Sequence, residues 1–425
     1  MLAKRLAARL AQGGVHYGWV MVGLTFLISV STAATMGLPG VLIDPLKTEF
    51  GWQTGEISGP LGLRLMLFGL VAPFAAAFMA RYGIVRVVGV ALLLIALGVG
   101  WSTMLGTLPE LWASWGVLVG LGTGLTAMVL GATVASRWFT KRRGLVVGML
   151  TAANATGQLL FLPLDAWIAE TYGWRMAVAP PMVACLVAFV LLLLFGRDYP
   201  AQLGLSPYGE TAVLPPPARP RGGPFAASLN ALKVASGTTV FWVLFGTFFV
   251  CGLSTNGLVQ SHFIPLCHDF GMTDVAAAGV LAMMGAFDFV GTIGSGWLSD
   301  RYDNRRLLFM YYGLRGLSLM VLPYTDFSFY GLSLFAVFYG LDWIATVPPT
   351  VKLAGNAFGR EMAPLVFGWV FTAHQIGAAV AATAAGMVRD GTGTYLPAFF
   401  AAGVACLIAA VAALCVRRGA RVLVA

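Results

Sequence analysis

The stretch DFVGTIGSGWLSDRYDNRR, residues 288–306, contains the pattern that decides the fold of this chain. It begins with an acid, Asp288, inside an apolar run, and it ends in a short charged turn that a bilayer would exclude. Gly296 stands four residues before Asp300, and three arginines complete the turn: Arg301, Arg305 and Arg306. We expect Gly296 to admit a neighbouring helix at close range, and Asp300 to form a polar latch with the arginines. The stretch therefore predicts the inner end of a membrane-spanning helix.

The composition is that of a membrane protein. Hydrophobic residues make up 59% of the 425 residues and charged residues 10%, and the mean hydropathy of +0.83 lies far from a soluble globular balance. The length leaves room for about a dozen apolar runs of about 20 residues. The net charge of +9 comes from lysines and arginines in short loops between apolar runs rather than from one basic domain. We therefore expect a lipid bilayer as partner and no nucleic acid.

The cysteines and the N-terminus exclude other classes. The five cysteines fall in or beside apolar runs and have no metal-ligand spacing: Cys185, Cys251, Cys267, Cys406 and Cys415. An odd number in such places predicts neither a disulfide framework nor a metal site. Lys4, Arg5 and Arg9 precede an apolar run without a clear cleavage site. This pattern predicts an uncleaved first helix rather than a signal peptide.

The apolar runs predict an all-α membrane protein with twelve transmembrane helices in two pseudo-symmetric six-helix bundles. The first set covers residues 17–43, 54–80, 87–106, 109–136, 144–171 and 174–196, and the second covers 238–266, 274–299, 307–324, 328–354, 363–388 and 395–416. The predicted domains are a bundle at 1–196, a linker at 197–236 and a bundle at 237–425. The linker contains seven prolines, so we expect part of it to be extended. Its apolar end, residues 225–235, is either a helix on the membrane surface or a disordered tail.

The distribution of positive charge predicts the orientation. Most of the 26 lysines and arginines fall in loops on one side, whereas the other side holds only Lys47, Arg175 and Arg389. Because cytoplasmic loops are enriched in these residues, we expect both termini in the cytoplasm and the protein in a plasma (inner) membrane.

An internal repeat supports the two bundles. A shift of 220 residues aligns several identical pairs: Pro45 with Pro265, Gly59 with Gly279, Arg81 with Arg301, Gly148 with Gly368, and Gly157 with Gly377. Parallel repeats of this kind place the substrate between the halves near the bilayer midplane. In the first copy of the charged turn, Ala76 and Ala80 stand where the second has Gly296 and Asp300. We therefore expect the first latch, which retains Arg81, to be weaker or to use other partners.

Ionisable groups at membrane depth are costly and are candidates for function. Asp288 lies about 18 Å along its helix from the inner turn, and His374 lies at a similar depth. Each is either a proton-exchanging or substrate-binding group, or a structural residue bonded within the bundle. The repeat pairs His374 with Asn154, and the neighbours Gln158 and Gln375 suggest a polar layer in both halves.

Two arginines also lie inside predicted helices. Arg315 and Asp342 invite pairing across adjacent helices, and we interpret them as a structural ion pair. Arg64, about 25 Å from the inner surface, either captures anions at the outer mouth or extends its charge to the interface. A further polar set on the seventh helix predicts gate or cavity residues: Asn256, Gln260 and His262. Pro348 and Pro349 should kink the tenth helix.

The turn of residues 296–306 resembles the Gly-x-x-x-Asp-Arg-x-x-x-Arg-Arg loop signature of the major facilitator superfamily, and the whole chain is similar to its transporters. The stretches Tyr17-Gly18-Trp19 and Arg81-Tyr82-Gly83, together with residues 288–300, resemble the monocarboxylate porters and oxalate/formate antiporters. The resemblance implies a proton-coupling acid at Asp288. These porters also have an arginine four residues later, which here is Thr292, and a first-helix lysine that has no counterpart near Gly37. The positive partner of an anionic substrate must then be Arg64, Arg315 or protonated His374.

No phosphate-cradling loop and no nucleophile elbow occurs in the sequence, so we expect neither an enzyme nor a cofactor. The leading hypothesis is a monomeric secondary transporter that moves a small organic anion with a coupling proton by alternating access. The alternative is an efflux pump for amphipathic or drug-like compounds. A third hypothesis is a sensor or scaffold that transports nothing.

Overall fold

The computed structural model describes residues 2–213, 215 and 223–416. It omits the side chains at positions 37, 39–41, 44, 54, 55, 155, 158, 159, 162, 274, 275 and 390. The described chain is helical and contains no β-strand, apart from an isolated bridge between Phe139 and Tyr208. Helices are the expected solution for apolar runs of this length, because every backbone polar group of a helix is bonded within it.

The helical segments follow the predicted positions. In chain order they are α1 (Leu2–Gln12), α2 (Gly18–Phe50), α3 (Thr54–Tyr82), α4 (Ile84–Trp101), α5 (the stretch Leu108–Trp138), α6 (Arg143–Tyr172), α7 (the stretch Trp174–Phe195), α8 (Pro224–Ser236), α9 (the stretch Thr239–Asp269), α10 (Asp274–Ser299), α11 (Asn304–Val321), α12 (Phe329–Asp342), α13 (Val347–Thr392) and α14 (Leu396–Leu414). Within the described residues, ten stretches are long and apolar enough to cross a membrane, and one of them, Phe329–Arg389, runs through two predicted spans. The predicted all-α membrane fold is confirmed.

Two of these segments contain π-helical turns. In α5 the π-helix is Trp112–Val119, and in α9 it is Leu253–Val259. A π-helical turn inserts an extra residue into the helix and changes which side chains face a neighbouring helix. The spacing of apolar residues did not predict either turn.

The chain packs as two compact units. The first consists of Met1–Lys141 and Ala153–Ser228, and the second of Arg142–Ala152 and Leu229–Ala425. The beginning of α6 thus belongs to the second unit. In the first unit, Gly157 of α6 lies against α2, where a Cβ atom on the glycine would stand 2.5 Å from the Val30 carbonyl oxygen. A small residue is required there because the two backbones touch.

The first part of the predicted linker is bonded to the first unit. The Tyr208 amide donates to the Trp138 carbonyl at 2.8 Å, and the Tyr208 carbonyl accepts from the Thr140 amide at 2.9 Å. The carboxylate of Asp198 accepts from the Val85 amide at 3.0 Å, which caps the start of α4. Residues 198–210 are therefore an ordered strap. Residues 224–236 form the helix α8, in agreement with the helical alternative for this stretch.

The predicted tenth helix is interrupted within its span. α12 ends at Asp342, residues 343–346 form turns, and α13 begins at Val347. The break lies in the turn before Pro348 and Pro349, as expected, because their missing N–H groups leave the carbonyls of Ile344 and Ala345 without helical donors. Both prolines themselves fit the first turn of α13. α13 is itself interrupted at Gly359, whose φ of 76° is left-handed.

Candidate functional site

The break at residues 343–346 is bonded by side chains from two neighbouring helices. Asp288 of α10 is 2% exposed, and its Oδ1 accepts from the Ile344 amide at 2.9 Å and from the Thr292 hydroxyl at 2.8 Å. The Ser295 hydroxyl, one turn further along α10, donates to the Ala345 carbonyl. Interrupted backbone at membrane depth is tolerated only where protein or water satisfies its polar groups. Asp288 and Ser295 provide that satisfaction here.

Arg315 of α11 bonds the other side of the same break. Its side chain is 0% exposed, and its Nε donates to Asp342 Oδ2 at 2.7 Å. Its Nη2 donates to the carbonyls of Asp342 and Trp343, the latter at 2.9 Å. Its Nη1 approaches the Cys251 thiol of α9 at 3.2 Å. The structure thus places Arg315 and Asp342 in direct contact, and each guanidinium nitrogen of Arg315 has a partner.

His374 of α13 approaches this cluster through Cys251. The thiol interacts with the imidazole, and its sulfur lies 3.3 Å from the Thr346 hydroxyl. The imidazole is 5% exposed and packs against Phe248 and Phe371, with ring centroids 5.2 and 5.8 Å away. Its Nδ1 is buried and has no hydrogen-bond partner among the described residues. The structure therefore connects His374 to the cluster and leaves one of its nitrogens unused.

The charges of this cluster do not balance without a proton. Arg315 supplies one permanent positive charge, whereas Asp288 and Asp342 supply two carboxyl groups. A buried uncompensated charge is expensive. One proton, on a carboxyl group or on His374, makes the set neutral. Chemically, the arrangement is able to hold a single exchangeable proton.

Arg64 of α3, in the first unit, has different surroundings. It is 4% exposed, so it does not extend to the interface. Its Nη1 donates to the Thr35 carbonyl of α2 at 2.7 Å, and its guanidinium carbon lies 5.8 Å from the Trp115 ring centroid. That carbonyl would normally pair with the N–H four residues on, but residue 39 is Pro39 and has none. The Nε of Arg64 is buried without a partner, and no carboxylate pairs with Arg64 among the described side chains.

Asp165 in α6 is a buried acid that the sequence patterns above did not single out. Its side chain is 0% exposed, and neither carboxylate oxygen has a partner in the part of the chain that the structure describes. The signal was available, since Asp165 stands seven residues before the end of α6 at Tyr172, inside an apolar run. It was overlooked because it lies outside the glycine-flanked polar layer that contains Asn154.

Other predicted site residues are more loosely placed. In α9, Asn256 is half-buried and Gln260 is exposed, while His262 bonds through Nε2 to the Ala382 carbonyl at 2.9 Å. His262 is therefore held against the backbone of α13. Asn154 and Gln375 are half-buried, and the side chain of Gln158 lies outside the described residues.

The predicted latch has different partners from those expected. Asp300 accepts from the amides of Gly144 and Leu145, at 2.9 and 3.0 Å, and from Lys352 Nζ at 2.8 Å. It thus caps the N-terminus of α6, where free N–H groups and the helix dipole favour a carboxylate. Gly296 permits the contact, because its backbone lies against Gly144 and Gly148.

The expected latch between Asp300 and the arginines is therefore wrong. The arginine side chains have other environments: Arg301 lies 3.9 Å over the Trp297 ring, Arg305 pairs with Asp303 at 2.7 Å, Arg306 is exposed, and Arg81 lies 5.8 Å over the Tyr82 ring. Helix α6 and Lys352 are far from the turn in sequence, so the spacing of charges could not reveal them.

Membrane-length helices that bury a bonded helix break and several ionisable side chains define a membrane transport protein. The chain belongs to the Major Facilitator Superfamily, whose family model matches residues 25–382. This is a superfamily of transporters, and the protein is a multi-pass membrane transporter rather than an enzyme.

Several proteins with similar sequences are named as transporters, and each match covers most of both chains. An uncharacterized MFS-type transporter, YcxA of Bacillus subtilis (strain 168), is 24% identical and the match covers 89% of this chain and 90% of that protein. Monocarboxylate transporter 13 of Rattus norvegicus is 28% identical, with 91% and 86% covered. Monocarboxylate transporter 11 of Homo sapiens is 28% identical, with 91% and 80% covered.

Solved structures share the fold at low sequence identity. The proton:xylose symporter XylE has a TM-score of 0.70 at 14% identity, covering 93% of this chain and 94% of that one. The human organic anion transporter MFSD10 has a TM-score of 0.69 at 15% identity, covering 92% and 98%. At these identities the likeness concerns the fold alone.

Proposed function

We propose that this protein is a secondary transporter that moves a small organic anion, of the monocarboxylate class, together with a proton by alternating access. The observation that carries the proposal is Arg64, a buried guanidinium with no described carboxylate and an unused Nε–H. An uncompensated cation at membrane depth is costly and marks a ligand pathway. A substrate carboxylate would supply the missing negative charge and accept from the free edge of the guanidinium.

Arg315 is the weaker candidate for the anion site. Its nitrogens already donate to Asp342, to two backbone carbonyls and to Cys251. A substrate carboxylate would have to displace the Asp342 carboxylate from a fully buried pair. Of the three positive groups that the sequence left open, Arg64 therefore fits the role best, with His374 as a second group whose Nδ1 is free.

The coupling proton is assigned to the cluster around Asp288. One arginine faces two carboxyl groups there, so the neutral cluster contains one proton. Several curated relatives are named monocarboxylate transporters, which is consistent with a proton-linked organic acid. The loop charges favour an inner-membrane location with both termini in the cytoplasm, and we propose a functional monomer with bundles at 1–196 and 237–425.

Uptake by proteoliposomes tests the proposal. With the lumen made alkaline, wild-type protein should accumulate labelled short-chain monocarboxylates, and uptake should vanish when the pH gradient is removed. Arg64→Gln should reduce uptake at least about tenfold, because it loses a charged hydrogen bond to the anion. Arg175→Gln is the matched control, since that arginine is exposed and paired with Glu49.

Two results would contradict the proposal. Undiminished uptake by Arg64→Gln would remove the anion site, and accumulation that ignores the pH gradient would remove the proton. Transport of amphipathic or drug-like compounds in place of monocarboxylates would favour the efflux alternative.

A further inference from the structure

The helix break at 343–346 is held by side chains on both its donor and its acceptor sides. On the acceptor side, the Asp342 and Trp343 carbonyls receive Arg315, and the Ala345 carbonyl receives Ser295. On the donor side, the Ile344 amide donates to Asp288. In a continuous helix this amide would instead donate to the Gly340 carbonyl, which here accepts from the Trp343 amide at 3.0 Å.

Close packing makes the contact between Asp288 and the break direct. Gly291 of α10 lies against the Leu341 carbonyl of α12, and Gly340 of α12 lies against Met284 of α10, so that a Cβ atom on either glycine would clash with backbone. The two helix backbones therefore touch on both sides of Asp288. A short aspartate side chain reaches the Ile344 amide without intervening water.

Asp288 is a titratable side chain that bonds the backbone of the break directly, whereas the Asp342 carboxylate accepts from Arg315. Thr292 and Ser295 do not titrate, and Arg315 keeps its proton under all physiological conditions. The charged and titratable groups that face Asp288 are Arg315 from α11, Asp342 from α12 and Cys251 from α9. Arg315 pairs with Asp342 rather than with Asp288.

We propose that the conformation of residues 343–346, the joint between α12 and α13, depends on the protonation state of Asp288 through its hydrogen bond with the Ile344 amide. The inference rests on the proposed proton coupling and adds the element that responds to the proton. As a carboxylate, Asp288 holds Ile344 N–H and Thr292 O–H on Oδ1, and Oδ2 has no partner among the described residues. A proton that binds Oδ2 neutralises the group and weakens both bonds to Oδ1. The Ile344 amide is then held less tightly by α10, and the backbone of residues 343–346 loosens.

Thr292 is the positioning residue in this arrangement. Its hydroxyl donates to the same oxygen as the Ile344 amide and fixes the carboxylate with Oδ1 towards the break. This gives a role to the residue that stands where the monocarboxylate porters have an arginine. In this proposal, the group that responds to the proton is a backbone amide rather than a neighbouring charged side chain.

Hydrogen exchange on the intact purified protein tests the inference without substrate. Peptides that cover residues 339–350 are followed across a pH series, after correction for intrinsic chemical exchange at each pH. In the wild type, amides at the break should exchange about five- to tenfold faster on the acidic side, because a bond to a neutral acceptor is weaker than one to a carboxylate. Asp288→Asn, which keeps an acceptor oxygen but takes no proton, should exchange at one rate throughout.

Ser295→Ala is the matched control. It removes a bond to the same break, from one turn along the same helix, without altering a titratable group. Exchange in this variant should be faster at every pH, with the pH dependence retained. Thr292→Val should preserve the pH dependence and shift its midpoint.

Either of two results overturns the inference: wild-type exchange at 343–346 that does not depend on pH, or a pH dependence that survives in Asp288→Asn. The first result needs no variant to fold. Normal proton-coupled uptake together with pH-independent hydrogen exchange at residues 343–346 would reject the proposed role of the joint and leave the proposed function intact. A responsive joint in a protein that moves no monocarboxylate would reject the proposed function alone.

Discussion

Among the described residues, two buried arginines lie in opposite kinds of surroundings, Arg64 in the first packing unit and Arg315 in the second. Arg315 donates to a carboxylate, two carbonyls and a thiol. Arg64 donates to carbonyls of α2 and has no described carboxylate partner. Both are at most 4% exposed, so burial does not distinguish them. What differs is bonding capacity: a saturated guanidinium stabilises its own unit, whereas one with a free N–H has capacity left for a ligand.

The buried acids repeat the contrast. Asp288 and Asp342 of the second unit are bonded to a helix break and to Arg315. Asp165 of the first unit is bonded to nothing in the described chain. The second unit thus uses buried charge to hold an interrupted helix, while a buried base and a buried acid of the first have no ionic partner among the described residues. We interpret the pair of Arg315 and Asp342 as structural and keep Asp288 as the proposed proton site. Arg64 and Asp165 are candidates for binding.

Removing Arg315 should have the largest effect on stability. Arg315→Met leaves the Asp342 carboxylate buried without a counter-ion and strips two carbonyls of their donor, at a cost of about 3–5 kcal/mol. Arg64→Met is the matched substitution in the other unit, and it should cost about 1 kcal/mol for the lost bond to Thr35. Thermal unfolding in detergent measures both. Equal losses would mean that Arg64 is as structural as Arg315, and the contrast would fail.

Removing Asp165 should stabilise the protein. Asp165→Leu replaces a buried carboxyl group that lacks partners with an apolar side chain of similar volume, for a gain of about 1–3 kcal/mol. The control is Asp342→Leu, which deletes a paired acid and should destabilise. If Asp165→Leu instead lowers the melting temperature, Asp165 has a bonding partner in the native state and does not belong with the unpaired groups.

Hydropathy, the repeat and the charged turn were sufficient to predict the fold. The span positions follow from apolar runs, because a bilayer leaves the backbone no alternative to helices. Details that depend on helix contacts were not predictable. The prolines predict the break at residues 343–346, whereas its bonds to Asp288 and Arg315 come from other helices and are not visible in the run itself.

The same limit applies to the candidate site. Rarity of charge at membrane depth was enough to select Asp288, His374, Arg64 and Arg315, and adjacency of helices was enough to suggest the pair with Asp342. Sequence separation hid the partners of Asp300, which lie in α6 and at Lys352. Whether a buried charged group has hydrogen-bond partners depends on how several helices pack together. The sequence of one apolar run does not contain that information.

The smallest predicted effect concerns an arginine that is paired but exposed. Arg175 and Glu49 form an ion pair with N–O distance 2.6 Å and with about two-fifths of each side chain exposed. Hydrogen bonds from Arg175 and from the Trp174 indole lower the pKa of Glu49 below its ordinary 4.5. The folded state therefore binds the proton less readily than the unfolded chain, so the pair stabilises above that pH and its contribution fades as the pH falls.

Glu49→Gln should accordingly lower stability by at most about 1 kcal/mol at neutral pH, because water screens the exposed pair. The difference from wild type should disappear in acid, where Glu49 is protonated in both states. Thermal unfolding at neutral and acidic pH, at low and high salt, measures it. A loss as large as that of Arg315→Met would show that an ion pair contributes the same stability whether it is buried or exposed. A small, salt-sensitive loss would show that an arginine ion pair stabilises this protein strongly only where water is excluded.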